Sequence, residues 1–302
     1  FGLNFEKLED VPAYHAECEA FKVTDADGSL IGVLITYYFP RSTKRGGAWM
    51  NNFVNQEVID GVDIRPVIVN VGNFSKPVDG KPSLMTLDEV ETMFHEFGHA
   101  LHGLLSKCTY GSVAGTSVAR DFVELPSQIM ENWAFQPEVL ATYAFHYETG
   151  EVIPAELVEK INAAGTFNQG FMTTELVAAS ILDLKWHMLS SVEGIDPIAF
   201  EAEACKAMGL IDEIIPRYRT TYFNHIFNSG YSAGYYSYLW AEVLDKDAFE
   251  MFKQNGIFDP ATATSFRSNI LEKGGSDEPM TLYRNFRGAD PDPSALVKAR
   301  GL

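Results

Sequence analysis

Cysteine is scarce in this 302-residue chain: Cys18, Cys108 and Cys205 are its 3 cysteines, widely spaced and without any CxxC pair. That argues against a disulfide framework and for free thiols, as in a reducing compartment such as the cytoplasm. Positive charge is also short, with 23 Lys and Arg against 41 Asp and Glu and a formal net charge of −18. The excess would repel a phosphate backbone and anionic lipid, and no local basic patch offsets it. Neither nucleic acid nor membrane is therefore an expected partner. No stretch approaches the roughly 20 apolar residues needed to span a bilayer. No charged-then-apolar leader opens the chain either, which begins at Phe1 rather than Met, so a periplasmic location stays compatible with what is visible. With 46% hydrophobic and 21% charged residues, disorder, collagen and low complexity are excluded, and the length suits one large domain or two modest ones.

The hydrophobic period changes along the chain. Residues 20–23 and 30–39 are apolar and β-branched and flank Asp25-Ala26-Asp27-Gly28-Ser29, a hairpin signal, and residues 65–71 predict a further strand. Lys44, Arg45, Gly46 and Gly47 read as a basic, flexible turn before Trp49. From Leu84 the spacing becomes helical through Leu87, Val90, Met93, Phe94, Phe97, Leu101, Leu104 and Leu105. Thr86 is a plausible N-cap with Glu89 three positions on, and Asp88 and Glu89 sit in the first turn where the helix dipole favours acids. Further helices are expected at about 121–134, 155–164, 173–190, 198–208 and 235–255. The expectation is a mainly α chain with a small antiparallel sheet near the start, residues 1–83 carrying the sheet and 84–302 the helices, packed as one unit.

The chemistry concentrates in His95-Glu96-Phe97-Gly98-His99, an HExxH motif inside the first helix. Positions four apart lie on one helical face, so both imidazoles can aim at one ion. Glu96 is turned by about 100° from His95, beside the ion's open position rather than on it, where a general base for water belongs. Gly98 leaves room for close approach of another backbone or a substrate. The motif arises by chance in about one chain of this length in a hundred, which makes it a specific signal. Catalytic Zn²⁺ takes three protein ligands, and Asp121, Glu124 and Glu131 in the next helix are all candidates for the third. Spacing does not choose among them. Asp88 shares a face with His95 and could accept its second nitrogen, or be a plain first-turn acid. His102 reads as a packing or hydrogen-bonding histidine, not a ligand.

Several segments resemble a known family, the thimet oligopeptidase, oligopeptidase A and peptidyl-dipeptidase group of zinc peptidases. They are His-Glu-Phe-Gly-His-Ala-Leu-His (95–102), Asp-Phe-Val-Glu-Leu-Pro-Ser-Gln (121–128) and Gly-Tyr-Ser-Ala-Gly-Tyr-Tyr-Ser-Tyr-Leu-Trp (230–240), with 44–49 and 274–280 in support. The resemblance implies a zincin-like catalytic domain holding one Zn²⁺ through His95, His99 and Glu124, with Glu96 as base. It also implies that Tyr231 and Tyr238 stabilise the oxyanion and that His225, Tyr231, Tyr235 and Tyr238 contact substrate. By residues alone, the tyrosine cluster would read as aromatic packing. Asn228 and Ser229 depart from a glycine-rich pattern, which implies a less mobile loop. The family further implies a protein about twice as long, with a helical N-terminal part walling a channel for short peptides; a monomer is expected.

Segments 120–124, 167–170, 182–187 and 216–225 are more similar to the peptidyl-dipeptidase branch than to oligopeptidase A. Release of C-terminal dipeptides needs a donor cluster for the free carboxylate, for which Arg120, Arg217 and Arg219 are available. Internal cleavage is the alternative within the family. A non-catalytic, zinc-stabilised binding domain, or an inactive fragment, is the alternative outside it.

Overall fold

The computed structural model describes residues 1–9 and 11–302. Its strands are β1 (Asn4–Leu8), β2 (Glu19–Thr24), β3 (Leu30–Tyr37), β4 (Trp49–Val54), β5 (Glu57–Ile59), β6 (Val62–Ile64) and β7 (Val67–Val71). Five of them form one sheet in the order β1-β2-β3-β7-β4, and β5 and β6 make a separate hairpin. The central strands, Leu-Ile-Gly-Val-Leu-Ile-Thr-Tyr and Val-Ile-Val-Asn-Val, are the most continuously apolar, as a position covered on both faces requires. They pair in parallel, while the other neighbours are antiparallel, so the expected antiparallel sheet is in fact mixed. The long connection through β4, β5 and β6 supplies the crossover that a parallel pair needs.

The turn at Asp25 closes as expected, with Asp25 N–H donating to Ser29 O at 2.9 Å and Gly28 at φ +85°. The Lys44–Gly47 turn is not a loose basic segment. Lys44 Nζ donates to the carbonyls of Tyr37 at 2.9 Å and Phe39 at 2.8 Å, and also to that of Gly72. Its ammonium lies 3.8 Å from the Tyr37 ring centroid, which adds a cation–π contact. The lysine thus ties the turn to the ends of β3 and β7.

The helices are α1 (Leu87–Leu104), α2 (Leu125–Ala134), α3 (Pro137–Tyr143), α4 (Ala155–Ala164), α5 (Gln169–His187), α6 (Pro197–Ala207), α7 (Asn224–Phe227), α8 (Ser237–Asn255), α9 (Pro260–Phe266), α10 (Pro279–Arg287) and α11 (Ser294–Ala299). A π-helical turn, Arg267–Leu271, follows α9. Helix α1 lies on the sheet. Its Ala100, Leu101 and Leu104 join Val23, Ile31, Leu34 and Ile68 from the strands and Leu125, Ile129, Leu244 and Phe252 from α2 and α8 in one core. Gly103 lets helix and sheet approach: a Cβ there would stand 2.6 Å from Met50 Cε and 2.7 Å from Ile68 Cδ1. Arg65 holds the other end, donating to Leu104 O at 2.8 Å and Ile31 O at 2.8 Å, where a cation also complements the helix dipole. Cys18, Cys108 and Cys205 are free thiols. Among the described residues no helix is long and apolar enough to cross a membrane.

Candidate active site

Helix α1 starts on the capping box its sequence announces: Glu89 N–H donates to Thr86 Oγ1 at 3.2 Å and Thr86 N–H to Glu89 Oε2 at 2.8 Å. Two turns on, the His95 and His99 rings lie 4.9 Å apart between centroids and nearly perpendicular. Between them Gly98 meets the start of α2, where an added Cβ would fall 2.2 Å from Pro126 O and 2.6 Å from Ser127 Cα. Only a residue without a side chain allows that approach. It brings Glu124, the residue just before α2, under both histidines. Glu124 Oε2 stands 3.3 Å from His95 Nε2 and 3.2 Å from His99 Nε2. Ser127 Oγ fixes the same carboxylate, donating to Oε2 at 2.8 Å.

The ligand atoms of His95, His99 and Glu124 all lie within 4.8 Å of one another. Bonds of about 2.0–2.1 Å in a tetrahedral site imply edges of about 3.3–3.4 Å between ligand atoms, close to the two spacings measured, so the donor set fits a zinc-sized ion. The other two acids of the segment are used differently. Glu131 Oε1 lies 2.6 Å from His95 Nδ1, and Asp121 Oδ2 accepts from Tyr236 Oη at 2.9 Å near the surface. The second nitrogen of His95 is therefore held by Glu131, not by Asp88, because α2 packs directly over α1 and presents its own acid there.

Burial opposes the charge on Glu124, but His99 and hydrogen bonds from both histidines outweigh it and hold the carboxyl well below the usual range. His95 behaves reciprocally: burial lowers it, yet Glu124 and Glu131 carry it well above an ordinary imidazole. Glu96 is not part of this group. It is buried with Oε2 lacking any protein partner, and burial pushes its carboxyl up against the opposing pull of the two histidines. Its backbone is fixed from the sheet by buried Asn70, whose Nδ2 donates to Glu96 O at 2.8 Å.

The tyrosine segment closes over the same point. Tyr231 Oη donates to Glu124 Oε1, and the Tyr231 and Tyr238 rings stack at 5.1 Å. Burial first, and Glu124 second, raise both phenols, so each stays protonated and able to donate. His225 stands 6.2 Å from Tyr231 and 6.4 Å from Tyr238 by ring centroids. Tyr235 is almost wholly buried against Phe223, Tyr218 and His225, so most of its ring serves packing. At Ser229, Oγ donates to His225 O at 2.6 Å and closes the turn that carries it. His95, Glu96, Gln128, Glu131, His225, Tyr235 and Tyr238 border a cavity of about 660 Å³. A slightly larger cavity of about 760 Å³, between Phe94, Trp133, Phe252 and Ile257, is lined by none of His95, His99 and Glu124.

The model of Peptidase family M3 matches residues 1–302. The chain belongs to this family. It is 44% identical over 306 residues to the dipeptidyl carboxypeptidase of Salmonella typhimurium and 42% identical over 304 residues to that of Escherichia coli. It is 41% identical over 305 residues to oligopeptidase A of Escherichia coli. Each alignment covers 100% of this chain but only 44–45% of the relative, so the chain spans less than half the length of the curated relatives it matches.

Three supporting residues in this M3 chain escape a motif search. Glu131 was a ligand candidate rather than a support for one, and Asn70 looks like an ordinary polar interruption of a strand. Asp183, buried in α5, accepts from Ala233 N–H at 2.9 Å and Tyr235 N–H at 2.8 Å. It thereby holds the tyrosine segment through a residue with φ of +53°, a conformation an alanine seldom adopts unaided. The only sequence signal for it was an acid at an otherwise apolar helical position. Of the arginines, Arg120 lies over the Tyr231 ring at 4.7 Å, Arg219 pairs with buried Glu201, and Arg217 lines the cavity.

Proposed function

We propose that this chain carries the active site of a zinc-dependent peptidase acting on short, unstructured peptides, and that it releases dipeptides from their C-termini. The observation that carries the reading is the convergence of His95, His99 and Glu124 at near-tetrahedral spacing, beside a buried Glu96 that binds none of them. A closed structural site would use a fourth protein ligand, and none joins the three among the described residues.

His95, His99 and Glu124 hold the ion. Zinc, when bound, supplies Lewis-acid polarisation of a carbonyl and acidification of a water. Glu96 accepts the water proton on its carboxylate and returns it to the departing amine nitrogen, a role favoured by the raised proton affinity that burial gives it. Tyr231 transfers its donation from Glu124 to the substrate oxygen as charge develops there, and Tyr238, stacked on it, donates alongside. His225, with Tyr235 packed behind it, lines the path of the peptide. The free thiols favour a reducing compartment, the cytoplasm, and we take the protein as a monomer acting on peptides.

Internal cleavage by the same centre is the second reading, supported by the 41% identity to a protein named oligopeptidase A. Incubation of a peptide mixture with and without chelator, read by mass spectrometry, tests both. Metal-dependent loss of C-terminal dipeptides is expected. Chelator-resistant cleavage would remove the zinc reading, and internal fragments would favour the second.

A further inference from the structure

Three donors converge on the carboxylate of Asp183, which is wholly buried in α5. Its Oδ1 accepts from Ala233 N–H at 2.9 Å and its Oδ2 from Tyr235 N–H at 2.8 Å. One turn further along the helix, His187 Nδ1 lies 2.8 Å from the same Oδ1 and 2.9 Å from Asp183 O. Both neighbours of that nitrogen are acceptors, so Nδ1 carries the proton whether the ring is charged or neutral. An ionised carboxylate presents an acceptor to all three groups at once. An asparagine would turn a donor towards at least one of them. Neither Asp183 nor His187 borders the cavity beside His95.

The two amides belong to the turn between Tyr231 and Tyr238, whose rings stack at 5.1 Å and of which Tyr231 donates to Glu124. Arg120 shapes the same turn from its glycines. An added Cβ would fall 2.5 Å from Arg120 Nη2 at Gly230 and 3.3 Å from Arg120 Cγ at Gly234, so the guanidinium and its stem occupy the space side chains would need there. Under these contacts Ala233 takes φ +53°, which a residue with a Cβ keeps only where its surroundings over-determine it. A return of Ala233 to an ordinary negative φ would swing the two halves of the turn against each other and part the stacked tyrosines. The hydrogen bonds from Ala233 and Tyr235 to one buried charge oppose that return, since a charged acceptor makes the stronger kind of bond.

We propose that Asp183, steadied by His187, is a positioning residue for the reaction: by clasping the amides of Ala233 and Tyr235 it holds the Tyr231 and Tyr238 hydroxyls where the substrate oxygen gains charge. What the hydroxyls do there rests on the peptidase reading. Asp183 itself touches neither substrate nor ion, and it acts only through the turn.

The test uses zinc-loaded full-length protein: wild type, Asp183→Asn, His187→Gln, the double variant Tyr231→Phe with Tyr238→Phe, and each of the first two changes in that double background. Zinc content and thermal midpoint are checked for all. Donors that act as charge develops are felt in kcat rather than in KM, and one of them is typically worth about 10²–10³-fold. Asp183→Asn is expected to lower kcat by about 10²-fold, with KM within about twofold and zinc content full. His187→Gln, at the last and exposed residue of α5, should cost about 3–10-fold in the same parameter, the worth of one hydrogen bond. In the double phenylalanine background either change should cost no more than about twofold, because the hydroxyls it positions are gone. Hydrogen exchange read by mass spectrometry adds a measure independent of turnover: residues 231–238 should exchange faster in Asp183→Asn while α1 keeps its protection. A full loss of kcat in the absence of the hydroxyls, or wild-type kcat and exchange in Asp183→Asn, would overturn the assignment. If Asp183→Asn does not fold, His187→Gln decides by the same comparison. Faster exchange confined to 231–238 in a protein that cleaves no peptide would sustain the clasp and sink the peptidase reading instead.

Discussion

His95 is held between two carboxylates of the same neighbouring segment: Glu131 Oε1 lies 2.6 Å from its Nδ1, and Glu124 Oε2 lies 3.3 Å from its Nε2. One acid thus fixes the proton and the plane of the ring while the other stands at Nε2, the side on which we propose the ion is held. Such outer partners of a ligand histidine are typically worth 10–100-fold in metal affinity. Glu131→Ala should weaken zinc binding by about that factor, with Glu131→Gln partly restoring it, in a competition titration against a fluorescent chelator. Unchanged affinity in the alanine variant would mean that ring packing alone orients His95.

Glu96 and Glu124 should separate chemistry from binding. Glu96→Gln is expected to lower kcat by about 10²–10⁴-fold with full zinc content, because the role we propose for its carboxylate is that of a base and not of a ligand. Glu124→Ala should instead lose zinc, since two histidines alone leave the ion short of its third protein ligand. Metal analysis beside turnover measures both. Full zinc in Glu124→Ala would return the ligand role to another acid.

Gly98 is where α1 touches α2. A methyl there would sit 2.2 Å from Pro126 O, so one helix must move. Overpacking of this kind costs about 1–3 kcal/mol, and the backbone it presses on, Pro126 and Ser127, directly follows Glu124 in the chain. Gly98→Ala should therefore lower the melting temperature and the zinc affinity together. A loss of stability with normal zinc affinity would show that the helices separate elsewhere.

His102 gives a dependence on pH. Both of its ring nitrogens are buried without a protein partner, and burial, with a smaller contribution from His99, brings it down to about 3. Between pH 6.5 and 3 the unfolded chain therefore binds a proton that the folded chain excludes, and stability falls as the pH drops through that window. The slope is about 1.4 kcal/mol per pH unit, or about 2 kcal/mol between pH 6.5 and 5. His102→Leu should remove that part of the acid sensitivity, measured by urea denaturation of metal-free protein at pH 7 and pH 5. Equal losses in variant and wild type would place the acid sensitivity in other groups.

Features determined within a few residues were legible beforehand. The capping box of Thr86 and Glu89, the histidine pair at helical spacing and the hairpin at Asp25 each depend on neighbours along the chain. Features that depend on what packs across were not. Asp88 shares a face with His95, but the acid that reaches the ring is Glu131, because α2 crosses at that height. Strand β4, Trp-Met-Asn-Asn-Phe-Val, carries two asparagines and joins the sheet only because β7 offers a free edge. Helices α9 and α10 each open on a proline, α9 behind the capping side chain of Asp259, and both are too short for a period to declare itself. Lys44 reads as part of a basic, flexible turn because its three carbonyl partners come from residues up to 28 positions away.

The backbone contact at Gly98 also couples two events. Both histidines sit on α1 alone, whereas Glu124 reaches them only where the two helices have closed to touching distance. On the ligand set proposed above, tight metal capture requires that closure, so the rate at which a refolding chain takes up zinc would report the docking of α2 onto α1.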